Sequence, residues 1–490
     1  MELSFNMGNV LFVFIQLYLL LRKEVVKKKF ISLFTFAVFC EIFFNLGYLF
    51  KLGAYEVNRP YIAQVVAFLW GLLIVYKKII VFNSRFLLLF YISLIVGILW
   101  RLISPSRLIG INHDVPVDSL ATGGSMVELK ITGYSYIIFI RTILCSFLLV
   151  CFSRTFERNV FSRLVSQYVP IFKIVVIFSF FEFISNNFIN PNLVRSIVID
   201  IFGLSSGAYT TPSVRGGLYS ICLTCWEPSL ANFALFFCLL GILWSINVSK
   251  NRKDIIYIFI SAMMMALSMS LTGLLFIATL LVIMMFRKNV RDKTLKVISI
   301  LLPISIIGIA IVLLSSNTLN YLTSRVSTTF SSIAYMFEYP QQLSIFNVFG
   351  GASETVRFYS MFNNLYVWAK TPLFGVGIGA ISCTSGWISA IANVGIIGII
   401  IYLMFYKEIS KRMKLGNYRI AAVILGIAFT LQGGLVDIFC STFYYAWIII
   451  ISDIISNYKT KEKSTVSVSC SSEYASNKSI VNPNSICGNN

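Results

Sequence analysis

The chain is poor in the residues that most enzymes use for proton and metal chemistry. It has one histidine, His113, among 490 residues. That excludes a His-rich metal site and any relay of several imidazoles. Its 10 cysteines are scattered, and Cys222-Leu-Thr-Cys225 is the one C-x-x-C pair. A zinc site would need a second pair. Two readings of the pair stay open, an external disulfide or two small apolar residues at a helix end. No G-x-x-x-x-G-K-[ST] loop, no strand followed by G-x-G-x-x-G and no H-E-x-x-H occurs. No metal and no cofactor are expected.

Charge is scarce as well. Only 12% of residues are charged, against about 25% in an ordinary soluble domain. What fills the space is apolar: 57% of residues, 43 of them Phe, with a mean hydropathy of +0.82. Acidic residues number 20 against 40 basic ones, a net charge of +20. Such an excess alone would point to nucleic acid or an anionic surface. Joined to this hydropathy, it points to a polytopic membrane protein with its charge on one side of the bilayer, and to no nucleic-acid partner.

Apolar runs near the ~20 residues that cross a ~30 Å hydrocarbon core recur along the chain. They read as spans at 5–21, 30–50, 60–76, 86–104, 131–152, 169–189, 229–246, 255–268, 271–286, 297–314, 387–405, 420–436 and 443–455. The runs are continuously apolar rather than alternating, which favours helices over a barrel. The fold class is therefore all-α, a polytopic integral membrane protein of about 12–13 transmembrane helices. Residues 255–286 lie between two basic clusters, so they read as a hairpin broken near Ser268–Gly273. Basic residues concentrate in loops 22–29, 77–85, 153–163, 247–254, 287–296 and 407–419 and in the tail. By the positive-inside rule these loops are cytoplasmic, with the N-terminus outside and the C-terminus inside. The whole basic excess then falls on the cytoplasmic face. The first run lacks a basic n-region and a small-residue cleavage site, against a removed signal peptide.

Residues 1–456 form the membrane domain in this reading, and 457–490, rich in Ser, Asn and Lys, a disordered tail. The long loops, near 105–130, 190–228 and 315–386, are all extracytoplasmic. Loops of that length are uncommon unless functional or disordered, so chemistry is expected there.

Charges inside spans are functional candidates. Lys173 is one turn from its span's cytoplasmic end and can snorkel. Glu41 and Arg141 share a depth that permits either a buried pair or a substrate cavity. Glu182 lies in the outer third of its span, facing a neighbour or the outer vestibule. The second long loop ends in Arg215-Gly-Gly-Leu218 and then Trp226-Glu-Pro-Ser229. The proline suits a first helical turn, with Glu227 at the membrane mouth near a positive helix end. The third loop holds Arg357, Tyr359, Tyr366, Trp368 and Lys370, with helical spacing over 353–370 that predicts an interfacial amphipathic helix. Glycines 375, 377 and 379 follow and permit a tight turn with close backbone approach to a ligand. Arg357 and Lys370 suit phosphate, Arg by its planar fork; a lipid headgroup or Glu354 is the plainer partner for Arg357.

The run from Arg357 through Trp368-Ala-Lys-Thr-Pro-Leu-Phe-Gly-Val-Gly-Ile-Gly379 resembles the loop shared by Wzy-type O-antigen polymerases and WaaL-type ligases. There an arginine precedes a helix ending in P-x-x-G-x-G. The stretch after Trp387 is similar to the family's next span with its E-x-G-I-x-G core. Arg215…Glu227-Pro-Ser229 resembles the R-x-x-G…E-P-S element of many polysaccharide polymerases. Ser270-Leu-Thr-Gly273 stands where the family has S-R-x-G. The sequence departs from the pattern in three places. Leu271 replaces the S-R-x-G arginine, Asn393 replaces the E-x-G acid, and the ligases' histidine has no counterpart across Thr384–Ser389. The missing histidine favours a polymerase. The resemblance covers about residues 210–405 and implies a glycosyltransferase-type enzyme. It would join oligosaccharide repeats carried on undecaprenyl diphosphate at the outer face of the bacterial cytoplasmic membrane. It implies Arg215 and Arg357 for the diphosphate, Glu227 as base or acceptor-orienting group, and Asp437 as an alternative. Lys370, Gly375, Gly377, Trp226, Tyr359 and Tyr366 would line the substrates. The lipid bilayer is a partner in this reading and a polysaccharide chain-length regulator a candidate one. A glycan ligase and a lipid-linked oligosaccharide flippase are the competing readings.

Overall fold

The computed structural model describes residues 2–44, 47–52, 55–103, 133–203, 214–215, 217–225, 228–249, 252–268, 270–285, 367–381, 385–428 and 441–456, with Pro212, Phe439 and isolated positions between 323 and 365. Thirteen helices among these residues carry the chain: α1 Met7–Leu21, α2 Val26–Phe43, α3 Arg59–Tyr76, α4 Arg85–Ile103, α5 Gly133–Thr155, α6 Arg158–Ile184, α7 Leu193–Phe202, α8 Pro228–Ser249, α9 Ile255–Leu267, α10 Leu271–Met285, α11 Gly386–Arg412, α12 Tyr418–Ala428 and α13 Phe443–Ser456. One π-turn, Ser185–Ile189, prolongs α6. Six helices among the described residues are long and apolar enough to cross a membrane: Arg59–Tyr76, Arg85–Ile103, Ser135–Thr155, Arg158–Ile189, Pro228–Ile246 and Gly386–Arg412. Shorter apolar helices accompany them. The break expected near 268–273 is present, since α9 ends at Leu267 and α10 begins at Leu271.

Lipid tails are as apolar as leucine, so helices in a bilayer are held by packing and polar contacts rather than by a hydrophobic drive. The central helix shows the packing. The Pro228–Ile246 window of α8 is 94% buried, whereas that of Arg85–Ile103 is 33% buried and faces outward. Around α8, Phe236 stacks on Phe276 at 4.6 Å, and Phe237 meets Trp447 at 4.1 Å. A side chain at Gly241 would strike the Phe172 ring of α6 at 2.5 Å.

The run 30–50 does not form one helix. α2 stops at Phe43, Gly47 turns the chain at φ +78, and Tyr48–Leu52 (β2) pairs antiparallel with Tyr55–Asn58 (β3) and with Glu2–Leu3 (β1). Lys51 faces Glu56 across the hairpin, 3.4 Å from its carboxylate. Aromatic and β-branched residues around a glycine turn suit a pleated surface better than a last helical turn. Basic loops meet around Asn83 and Glu408. The Asn83 carbonyl accepts from Arg154 and Arg412, and Glu408 binds Ser84 and Arg412. Lys173, expected to snorkel, pairs with Asp254 at 2.6 Å.

Candidate functional site

Arg215 lies in a small hairpin, Val214–Arg215 (β4) against Leu218–Tyr219 (β5), turned by Gly217 at φ +84. The hairpin is tied to the end of α6. Asn187 donates to the Tyr219 carbonyl at 3.0 Å and accepts from its N–H at 2.8 Å, while Asn186 donates to the Ser220 carbonyl. The chain then makes a tight turn, with the Cys225 N–H on the Cys222 carbonyl and Leu223 at φ +52. A bulky residue there is strained and persists only where the surroundings over-determine it.

Two charges do so. Glu182 accepts the N–H groups of Cys222 at 2.9 Å and Leu223 at 2.8 Å. Arg195, on α7, donates to the carbonyls of Leu223 at 3.2 Å and Cys225 at 2.9 Å. Both side chains are fully buried, and their opposite charges act on one another. Buried charges of this kind persist only when they are compensated and hydrogen-bonded. Here the hydrogen bonds run to the backbone of one turn, which leads into α8 at Pro228. Glu182 thus faces a neighbour and not an open vestibule. Cys222 and Cys225 are both buried at this turn. Trp226 and Glu227 come directly after the turn and lie outside the described residues, as do Arg357, Tyr359, Tyr366 and Asp437.

A second assembly holds the glycine turn. Lys370 ends a helical segment over 367–370 and is exposed. α11 breaks at Gly395 (φ 67, ψ −179), and the turn fills the gap. Val376 and Gly377 donate to the carbonyls of Ala392 and Asn393, while Ile396 and Ile397 donate to those of Pro372 and Leu373. A broken helix at membrane depth needs such internal partners. The backbone approach that Gly375 and Gly377 permit is therefore made to protein. A Cβ at Gly375 would meet the Asn393 carbonyl at 2.5 Å, and one at Gly377 would meet Arg101 Cδ at 3.5 Å. Asn393 explains its own presence at the acid position. Its Oδ1 accepts from Ala380 at 2.9 Å and Ile381 at 3.3 Å, while Nδ2 donates to the carbonyls of Ile381 and Ser389. A carboxylate has only acceptors and would lose the second pair.

Glu41 joins a third site. Its carboxylate accepts from Gln64, from the hydroxyls of Ser441 (2.7 Å) and Thr442 (2.9 Å), and from the N–H groups of Thr442 and Phe443. It therefore caps the first turn of α13 from α2, an anion at a positive helix end. Arg141 acts on it electrostatically, with its own guanidinium 4.0 Å above the Tyr61 ring. Glu41→Gln should lower the stability of the purified protein by about 1.5–3 kcal/mol, because an amide group replaces an acceptor of charge-assisted bonds. Thermal melting in detergent checks this; unchanged melting together with unchanged activity removes the role.

Arg195 and Arg101 escaped the reading from sequence. The signal for Arg195 was available in Leu193–Gly203, a short apolar-periodic run closed by glycine. Arg101, buried beside the glycine turn, reads in the sequence only as a span end. Among the described residues no group of three or more His, Cys, Asp or Glu could hold a metal ion. No protein-family model matches the chain, nor does a curated protein or a solved structure.

Proposed function

We propose that the chain polymerises undecaprenyl-diphosphate-linked oligosaccharide repeats into a surface polysaccharide, O-antigen or capsule, at the outer face of the bacterial cytoplasmic membrane. In this reading about 12–13 helices span the bilayer, the β1–β3 sheet faces outward, and the basic loops and tail are cytoplasmic. A hydroxyl of one lipid-linked unit attacks the anomeric carbon of another. The bond to the diphosphate breaks, and the lipid diphosphate leaves.

That step needs cations for the developing diphosphate charge and a base for the hydroxyl proton. Arg215 and Arg357 take the first role and Glu227 the second, with Asp437 the alternative. Lys370, Trp226, Tyr359 and Tyr366 line the sugars and the lipid. Gly375 and Gly377 act by docking the turn that follows Lys370.

One observation carries the reading: Glu182 and Arg195 spend two buried charges on fixing the turn immediately before Trp226-Glu227-Pro228. Positioning of this kind is what a catalytic carboxylate requires. Gel analysis of surface polysaccharide from a deletion strain tests it. The ladder should collapse to a single repeat, with lipid-linked repeats in the outer leaflet. Repeats retained in the cytoplasmic leaflet would show a flippase, and unattached full-length polymer a ligase.

A further inference from the structure

α7 has two faces that cannot have the same neighbour. Arg195 and Val198 are buried, and that face closes on the Cys222–Cys225 turn. The other face is open and is itself divided. Leu193, Ile197 and Ile201 are 45%, 48% and 40% exposed along one edge. Ser196 and Asp200 are exposed along the other. Steps of three and four residues place each set in its own row along the helix.

Ten residues rise about 15 Å, half of a hydrocarbon core, so α7 cannot cross a bilayer. Helices this short are also marginal alone. This one is fixed at both ends: Arg195 binds the turn, and Arg59 donates to the Phe202 carbonyl next to the Gly203 cap. Its apolar edge therefore has a fixed position, and what lies beside it is exposed and apolar. On α6 and its π-turn, Ile174, Ile177, Phe181 and Phe188 form an exposed apolar stripe, with Phe181 at 62% and Phe188 at 74%. The stripe leads directly into Asn190 and α7.

We propose that α7 lies flat in the interface between lipid headgroups and acyl chains, with Leu193, Ile197 and Ile201 turned into the bilayer and Ser196 and Asp200 turned to water. The partner is the lipid surface itself, and the pattern is that of an interfacial amphipathic helix. The inference stands whether or not the chain is a polymerase. If it is one, the Arg195 clamp fixes the turn before Glu227 at a constant height above the acyl chains.

Photocrosslinking tests it. Benzoylphenylalanine is placed at Ile197 or at Ser196 in the full chain, in vesicles of phosphatidylethanolamine and phosphatidylglycerol. The same contrast is made at Ile201 and Asp200. All four side chains are exposed, so either pair reports if a variant of the other fails to fold. Lipid adducts, read by intact mass, should be several-fold more abundant at 197 and 201 than at 196 and 200. Equal yields, absence of lipid adducts at 197 and 201, or predominant chain-to-chain adducts there would overturn the proposal; the last would show a second copy as occupant.

Discussion

Arg195→Ala is expected to destabilise the protein by about 3–5 kcal/mol, the cost of leaving a buried charge without its nearby countercharge. Three losses coincide. Glu182 keeps its two backbone donors but loses its countercharge. The carbonyls of Leu223 and Cys225 lose their shared donor inside the protein. Leu223 is then left at φ +52 with one side of its restraint gone. Arg195→Lys should fall in between. A lysine restores the charge and has donors enough for both carbonyls, but its flexible stem does not hold them where the rigid guanidinium holds Nη1. Melting of the detergent-purified protein gives the order wild type, Lys, Ala. An Ala variant that melts with the wild type would show that other contacts hold the turn.

Gly395→Ala should be nearly as severe, for a steric reason. Gly395 has φ +67 and ψ −179, a region essentially confined to glycine, at a cost of order ~1–3 kcal/mol for a residue with a Cβ. A Cβ there would also stand 2.2 Å from the Leu373 carbonyl oxygen. That neighbour is backbone and cannot rotate away. The turn over 371–381 would have to leave the break in α11, freeing the carbonyls of Ala392 and Asn393 and the N–H groups of Ile396 and Ile397. Gly217→Ala separates the two contributions, because Gly217 has φ +84 with nothing within 4 Å of a Cβ. It should lose only the backbone part, about 1–2 kcal/mol. Equal losses of folded yield and melting temperature in the two variants would contradict the docking of the turn.

The membrane character was legible because it needs only long apolar runs and low charge. The hairpin break at 268–270 was legible too, since basic clusters on both sides require the chain to return. Residues 48–58 were not, because Tyr, Leu and Phe satisfy a hydropathy window equally well as strand or helix. The elements around the candidate site were partly legible. Gly375 and Gly377 stand in the turn that their spacing predicts and Lys370 closes the helical segment before it, whereas Arg215 lies in a hairpin strand within what reads in the sequence as loop. Their tertiary partners were hidden. Nothing in sequence pairs Glu182 with residues forty positions away, or Gly395 with Leu373. Glu41 was noticed for its depth, yet its main partners, Ser441 and Thr442, lie at the far end of the chain. Periodicity reports which face is apolar and is silent on which buried charge meets which backbone group.

If the chain extends lipid-linked repeats as proposed, Arg357 is among its diphosphate-binding groups. The direct measurement is a surface-polysaccharide gel of a deletion strain carrying wild-type or Arg357→Ala protein at matched membrane levels. The wild type should restore the full ladder, and the Arg357→Ala protein should give the single-repeat band alone. A full ladder from Arg357→Ala would remove that arginine from the reaction, and a full ladder from the deletion strain itself would end the polymerase reading.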